Sequence, residues 1–370
     1  MPLTEPSFRA RASVGTLVLA LGIVSSAVRA QSEVPDLSGR ILTVQGPIDP
    51  ADAGITLMHE HIFIDFRAPP PMRPPPTEIS VLRAQAAGPP GRGSFGGGLT
   101  DFDESLAELT AFKAIGGGTI VDTTNFGLTR DPEVLRRISE ASGLHVVMGA
   151  GWYQKALHPP DMSALTVEEL TAIVVADVTT GAQGTGVRAG IIGEVGIQGR
   201  PLVDNEIKSI RASARAARIT GAPLSLHSFA APEEMLEALD IIESEGVALS
   251  RVVMSHTGGP LSDYLTELFG RGVFVEWDYM GQAPLGAERD AQIAATIKAA
   301  IDAGHLRQIL LSHDICTAPQ LAKNGGGGYT YISERIVPAL ASLGVTPAEI
   351  ETLLVDNPRR ALTFVAPAAR

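Results

Sequence analysis

A single cysteine, Cys316, stands in 370 residues, so no intrachain disulfide can brace this chain. Basic residues are also in short supply. Twenty-nine Lys and Arg face 41 Asp and Glu, giving a formal charge of −12, and no basic stripe interleaved with aromatics could neutralise phosphates. That excludes nucleic acid as the expected partner. No G-x-S-x-G elbow supports a serine nucleophile, and Ser312, His313 and Asp314 are chain neighbours that a strand would turn to alternating faces. A glycine-rich phosphate turn after the first strand is missing too, because Gly116, Gly117 and Gly118 precede a strand instead of following one. What remains is the composition of a well-buried globule, 45% hydrophobic and 19% charged, long enough for one large α/β barrel or two ordinary domains.

The longest apolar run, 14–24, is too short to span a bilayer. Arg9 and Arg11 precede it, and Val28, Arg29 and Ala30 form a small-x-small site before Gln31. This is the pattern of a secretory signal peptide over residues 1–30, with an uncleaved anchor as the alternative. Residues 31–370 are then one domain of a periplasmic or secreted protein, free of the membrane once the leader is cleaved.

After a short strand and turn at 40–48, short β-prone runs alternate with longer amphipathic ones. The strands are expected at 55–62, 119–123, 145–148, 187–195, 223–227, 251–256, 273–277 and 308–312. Helices are expected at 99–115, 131–142, 166–182, 204–220, 231–245, 262–271 and 288–303, with two more near 331–343 and 347–354. Eight βα units in about 300 residues fit a (β/α)8 TIM barrel with a short N-terminal strand pair. A doubly wound open sheet is the competing arrangement. The Pro- and Gly-dense stretch 67–98 is a long loop after the first barrel strand, expected over a functional face.

Chemistry in such a barrel collects where the strands end. His59 and His61 sit two apart on the first strand and so share a face, while Glu60 between them faces away. Glu194 closes the fourth strand, His227 the fifth, His256 the sixth, and Asp314 follows the eighth. Imidazoles and carboxylates without thiolate suit zinc or a similar divalent metal in a catalytic setting. Six ligands exceed what one tetrahedral ion with an open position uses. They suit two ions sharing a carboxylate and a bridging water. His145 and His305 lie at strand starts and are expected to be structural, as is His313, which should face the helices. His158 sits in a loop, and Cys316 is a small packed residue.

These motifs resemble the phosphotriesterase family of the amidohydrolase superfamily. The matching stretches are 54–61 (GITLMHEH), 118–123 (GTIVDT), 188–195 (RAGIIGEV), 221–227 (GAPLSLH), 251–256 (RVVMSH) and 309–314 (ILLSHD). To these add 329–332 (YTYI) and 357–360 (NPRR), so the likeness covers nearly the whole mature chain. The resemblance implies a binuclear site: His59, His61 and Asp314 on the buried ion, His227 and His256 on the exposed one. Many members bridge the ions with a carboxylated lysine. Here Gly193 aligns with that lysine, so Glu194 resembles the Glu-bridged, phosphotriesterase-related subset and needs a local bulge or shift to reach the ions. Family members are often dimers, which makes a homodimer the implied assembly.

The implied chemistry is hydrolysis of an ester-type or amide bond in a small molecule by a metal-bridging hydroxide, with Asp314 accepting and relaying the proton. Tyr153 resembles a lactonase tyrosine near the metals. Lactonases tend to carry Asp-Arg after the seventh strand, where Asp278 and Tyr279 stand here, so Tyr279 becomes a substrate-side candidate. Lactones and phosphotriesters are the alternative substrates. A non-catalytic periplasmic metal- or ligand-binding protein is the alternative of another class.

Overall fold

The computed structural model describes residues 34–66, 72 and 98–368. The expected leader, 1–30, lies outside them, as does all of the 67–98 loop except Met72 and Gly98. Within the compact body that runs from Pro35, a hairpin of β1 (Ile41–Thr43) and β2 (Gly46–Ile48) precedes the barrel. Eight parallel strands then follow in chain order: β3 (Ile55–Glu60), β4 (Gly117–Asp122), β5 (His145–Ala150), β6 (Ile191–Ile197), β7 (Leu224–Ser228), β8 (Val252–Ser255), β9 (Phe274–Trp277) and β10 (Ile309–Leu311). Bonds from His61 N to the Ile315 carbonyl (3.0 Å) and from Asp314 N to the His59 carbonyl (3.1 Å) join the first strand to the chain leaving the last. The (β/α)8 barrel expected from the alternation is the architecture found.

Between the strands run α1 (Phe102–Ala114), α2 (Pro132–Ser142), α3 (Val167–Thr179), α4 (Asp204–Thr220), α5 (Pro232–Ser244), α6 (Asp263–Gly270) and α7 (Ala287–Asp302). Their starts are written locally. Asp101, Asp131 and Ser262 each accept a hydrogen bond from the backbone N–H three residues on, and Thr166 with Glu169 closes a capping box on α3. Past β10 the chain forms α8 (Val337–Ser342), α9 (Pro347–Glu351) and α10 (Asn357–Leu362), with π-helical turns over Ile332–Ile336 and Thr352–Asp356. The apolar spacing does not announce these wider turns. Asn357, from the NPRR motif, donates to the carbonyls of Leu306 and Ile309 (both 2.7 Å) and so ties α10 to the start of β10.

Two apolar clusters divide the core. The larger lies between sheet and helices, whereas Met58, Val121, Val147, Ile191, Val253, Phe274 and Leu310 form a smaller one, each from a different strand. Val253 and Phe274 lie two residues before Ser255 and Glu276, whose side chains face His59, so this cluster fills the lower barrel interior. Above it the interior turns polar. Among the described residues no helix is long and apolar enough to cross a membrane.

Candidate metal centre

The histidines of β3 reach the mouth through a break in strand register. Leu57 pairs with Ile120 and Glu60 with Asp122, three steps against two, so a bulge lies between them. It lets Met58 join the interior cluster while His59 and His61 project at the rim. Glu60 faces away from them, as period two requires. Its carboxylate accepts from Ser312 Oγ (2.8 Å), His313 N (2.9 Å) and Ile315 N (3.0 Å), and pairs with His313 Nδ1 (2.7 Å). Glu60 and His313 therefore lock the segment that carries Asp314, and neither belongs to the donor set.

The shift required for Glu194 is also present. Ile192 pairs with Leu224 and Val195 with Leu226, again three steps against two, and Ala150 pairs with both Ile192 and Gly193. Glycine is needed at 193: φ is +153°, and a Cβ there would stand 2.7 Å from Cβ of Ser225. The extra residue turns Glu194 into the barrel, where it is 1% exposed. Asn125 helps hold this turn by donating to the Glu194 carbonyl (2.5 Å).

Four imidazoles converge on that carboxylate. Nε2 of His59, His227 and His256 lies 3.2, 3.8 and 3.6 Å from Glu194 Oε2, and His61 Nε2 lies 3.4 Å from Oε1. Asp314 Oδ1 stands 3.3 Å from His61 Nε2 and 3.8 Å from His59 Nε2. All six expected residues thus face one space. They fall into two triads able to grip a cation, His59–His61–Asp314 and Glu194–His227–His256. His59 Nε2 and Glu194 Oε2 are buried without a hydrogen bond despite their proximity, an arrangement costly for polar atoms unless a cation sits between them. The donor set of imidazole nitrogen and carboxylate oxygen suits a divalent transition ion.

His256 (φ +60°) and Asp314 (φ +53°) hold left-handed backbones that non-glycine residues seldom adopt. Each is pinned: His256 N donates to Asp278 Oδ2 (2.8 Å) and Asp314 N to the His59 carbonyl. The far sides of the rings are held as metal-ligating histidines usually are. His59 Nδ1 meets Ser255 Oγ (2.9 Å) and Glu276 Oε2 (3.3 Å), His61 Nδ1 meets Thr124 Oγ1 (2.9 Å), and His256 Nδ1 meets Asp278 Oδ2 (3.0 Å). Glu276 and the positioning role of Asp278 were missed by the sequence reading. Their signal was available, as two carboxylates spaced two apart at the end of β9.

These contacts set the electrostatics. Burial pulls His61 down, but Asp314 and Glu194 overcome it and push the imidazole up to about 9. His256 likewise rises to about 10, with Asp278 and Glu194 outweighing burial. His227 has no such second carboxylate. Burial and the neighbouring imidazoles hold it well below its ordinary value despite Glu194. Burial raises Glu194, yet His227 and His59 reverse that and hold it well below the usual carboxylate range. Asp314 is raised, chiefly by burial.

Tyr153 and Tyr279 border the same space. The Tyr153 hydroxyl is 2.7 Å from His227 Nε2, and the Tyr279 ring stacks on His256 with centroids 4.8 Å apart. Phe229, 49% exposed, stacks on His227. His158 reaches back to the Tyr153 carbonyl (2.9 Å), and His305 stacks on Phe269, so both are structural. Cys316 is half-buried beside the mouth, and desolvation pushes its thiol well above the usual range.

A parallel barrel with this cluster at the C-terminal ends of its strands has the architecture of a metal-dependent hydrolase. The chain belongs to the phosphotriesterase family, whose model matches residues 39–362. It is 38% identical over 355 residues to a phosphotriesterase-related protein of Nematostella vectensis, covering 88% of this chain and 99% of that one. To an N-acetyltaurine hydrolase of Tetraodon nigroviridis it is 34% identical over 347 residues, covering 89% and 99%. Among solved structures it is similar to a resiniferatoxin-binding protein from Rhodobacter sphaeroides, with a TM-score of 0.76 and 36% identity, covering 88% of this chain and 96% of that one. The protein is a hydrolase of this family.

Proposed function

We propose that the protein hydrolyses ester or amide bonds of small molecules with two divalent cations, zinc first among them, shared by Glu194. The observation that carries this reading is the convergence of four imidazole Nε2 atoms on one buried carboxylate. His59, His61 and Asp314 would hold one cation, His227 and His256 the other. Bound there, the cations would supply a water ionised near neutral pH and polarise the oxygen of the scissile group.

Asp314 is the most open of the six donors, its side chain 15% exposed against at most 4% for the others. Its carboxylate is therefore the group placed to take the proton of the attacking water and return it to the leaving atom. Burial and the nearby Glu194 and Asp314 carboxylates raise Tyr153 far above its ordinary value, so its hydroxyl stays a donor that can orient a substrate oxygen. Tyr279 and Phe229 make the walls of the mouth aromatic. Amide cleavage gains support from relatives named for N-acetyltaurine hydrolysis. Tyr279 stands where the resemblance to lactonases would put the arginine of Asp-Arg, which supports open-chain substrates over lactones.

A panel of esters, amides, lactones and phosphotriesters on zinc-loaded protein tests the reading. Chelator-sensitive turnover of an ester or amide is expected. Absence of turnover on every class, with metal bound, would leave the binding-protein alternative standing. The leader places the enzyme outside the cytoplasm in this reading, and N-terminal sequencing of the exported protein should begin at Gln31.

A further inference from the structure

Three of the four imidazoles in the metal centre turn their far nitrogen to a hydroxyl or a carboxylate. His227 is different. The amide nitrogen of Gln154 lies 3.2 Å from His227 Nδ1 and the Tyr153 hydroxyl 2.7 Å from Nε2, so two consecutive residues grip the ring at both nitrogens. Gln154 makes this contact in place of a local one. It heads the short turn Lys155–Leu157, where a polar side chain commonly bonds back to a backbone N–H, yet it makes no such bond.

The approach is built into the sheet. Gly196 on β6 is the register partner of His227 on β7, and a Cβ at 196 would collide with Gln154 N and the Tyr153 carbonyl carbon. Glycine there lets the chain leaving β5 cross directly over the strand. Gly196 N donates to the Trp152 carbonyl (3.1 Å), and His158 Nε2 meets the Tyr153 carbonyl (2.9 Å), so the crossing is held from both sides. The side chains of Tyr153 and Gln154 are thereby delivered to the ring on the neighbouring strand.

A neutral imidazole carries one ring hydrogen, and its place decides whether Nε2 can take a cation. An amide can meet Nδ1 from either end. With its N–H toward Nδ1, the ring hydrogen sits on Nε2 and faces Tyr153; with its carbonyl toward Nδ1–H, the Nε2 lone pair is free. We propose that Gln154 is the positioning residue of His227, its carbonyl end fixing the hydrogen on Nδ1 and so setting how tightly this histidine holds its cation. The assignment rests on the two-cation reading for its effect on metal, but not for its effect on the ring. A neutral amide is a weaker acceptor than the carboxylates behind His59 and His256, which gives the site a direction in which it can be improved.

The test compares the wild-type full protein with Gln154→Met and Gln154→Glu, each titrated with zinc against a chromogenic chelator, while His227→Asn identifies the zinc step that depends on this ring. Gln154→Met should weaken that step about 10–100-fold and leave the other unchanged; Gln154→Glu should keep or tighten it. Long-range proton–nitrogen NMR spectra of the metal-free, histidine-labelled protein read the ring hydrogen directly. It should sit on Nδ1 of His227 in wild type and Gln154→Glu, and shift toward Nε2 in Gln154→Met. Wild-type behaviour of Gln154→Met in both readouts overturns the proposal, as does an equal shift of both zinc steps, the mark of a general packing or charge effect. Thermal melts separate a lost step from unfolding, and a hydrogen on Nε2 in Gln154→Glu overturns the proposal by itself. Uptake of a single zinc by wild type would sink the two-cation reading, and the ring hydrogen would then decide the role of Gln154 alone.

Discussion

The lower and upper halves of the barrel interior use the same strands for opposite ends. On β8 and β9 the residues Val253 and Phe274 pack in the apolar plug, and one pleat further on Ser255 and Glu276 face His59. Two residues of rise, roughly 6–7 Å, separate hydrocarbon from carboxylate. The plug excludes water and fixes the strands. The layer above can then hold buried polar groups that meet across the barrel, as His59 on β3 does with Ser255 on β8 and Glu276 on β9. Where a side chain must leave the strict alternation, as at Glu194 and the β3 histidines, the strand carries a bulge.

Substitutions in the two layers should therefore fail differently. Asp314→Asn should lower kcat at least about a thousandfold in steady-state assays while the melting temperature of the metal-free protein changes little, since in the proposed reaction it would remove the proton acceptor and a ligand but no packing. Phe274→Ala, in the plug, should cost about 3–5 kcal/mol in denaturant unfolding and leave the kcat of the folded fraction near wild type. Equal loss of stability in both variants would erase the division. Glu276→Gln sits at the boundary. Losing the carboxylate behind His59 should weaken metal affinity about 10–100-fold in competition with a chromogenic chelator, with kcat recovered at saturating metal.

The smallest effect is a proton count. With His61 raised to about 9 and His256 to about 10, both imidazoles carry protons at pH 7 in the metal-free cluster. Metal must displace them, so loading at pH 7 should release protons, and affinity should rise with pH until those values are passed. A lightly buffered titration with an indicator dye measures it. No proton release at pH 7 would show that the imidazoles are already neutral.

Much of this was legible in the chain. Strand ends marked by His227, His256 and Asp314 disclose the mouth because a parallel barrel puts all those ends on one side. The alternation of runs discloses the eight units. Glu194 was harder, since its face depends on a one-residue register change that no local propensity encodes. The supporting roles of Glu276 and Asp278 were hidden for another reason: Glu276 on β9 and Asp278 just past it read as ordinary polar positions until the histidines they support are placed beside them.

The central claim is that Glu194 joins two cations in one site. Metal content per chain in wild type and Glu194→Ala, measured by mass spectrometry after zinc loading and desalting, tests it most directly. The expected result is about two ions per chain in wild type and a clear loss in the variant, with both proteins folded. Undiminished metal content in Glu194→Ala, or a single ion in fully loaded wild type, would contradict it.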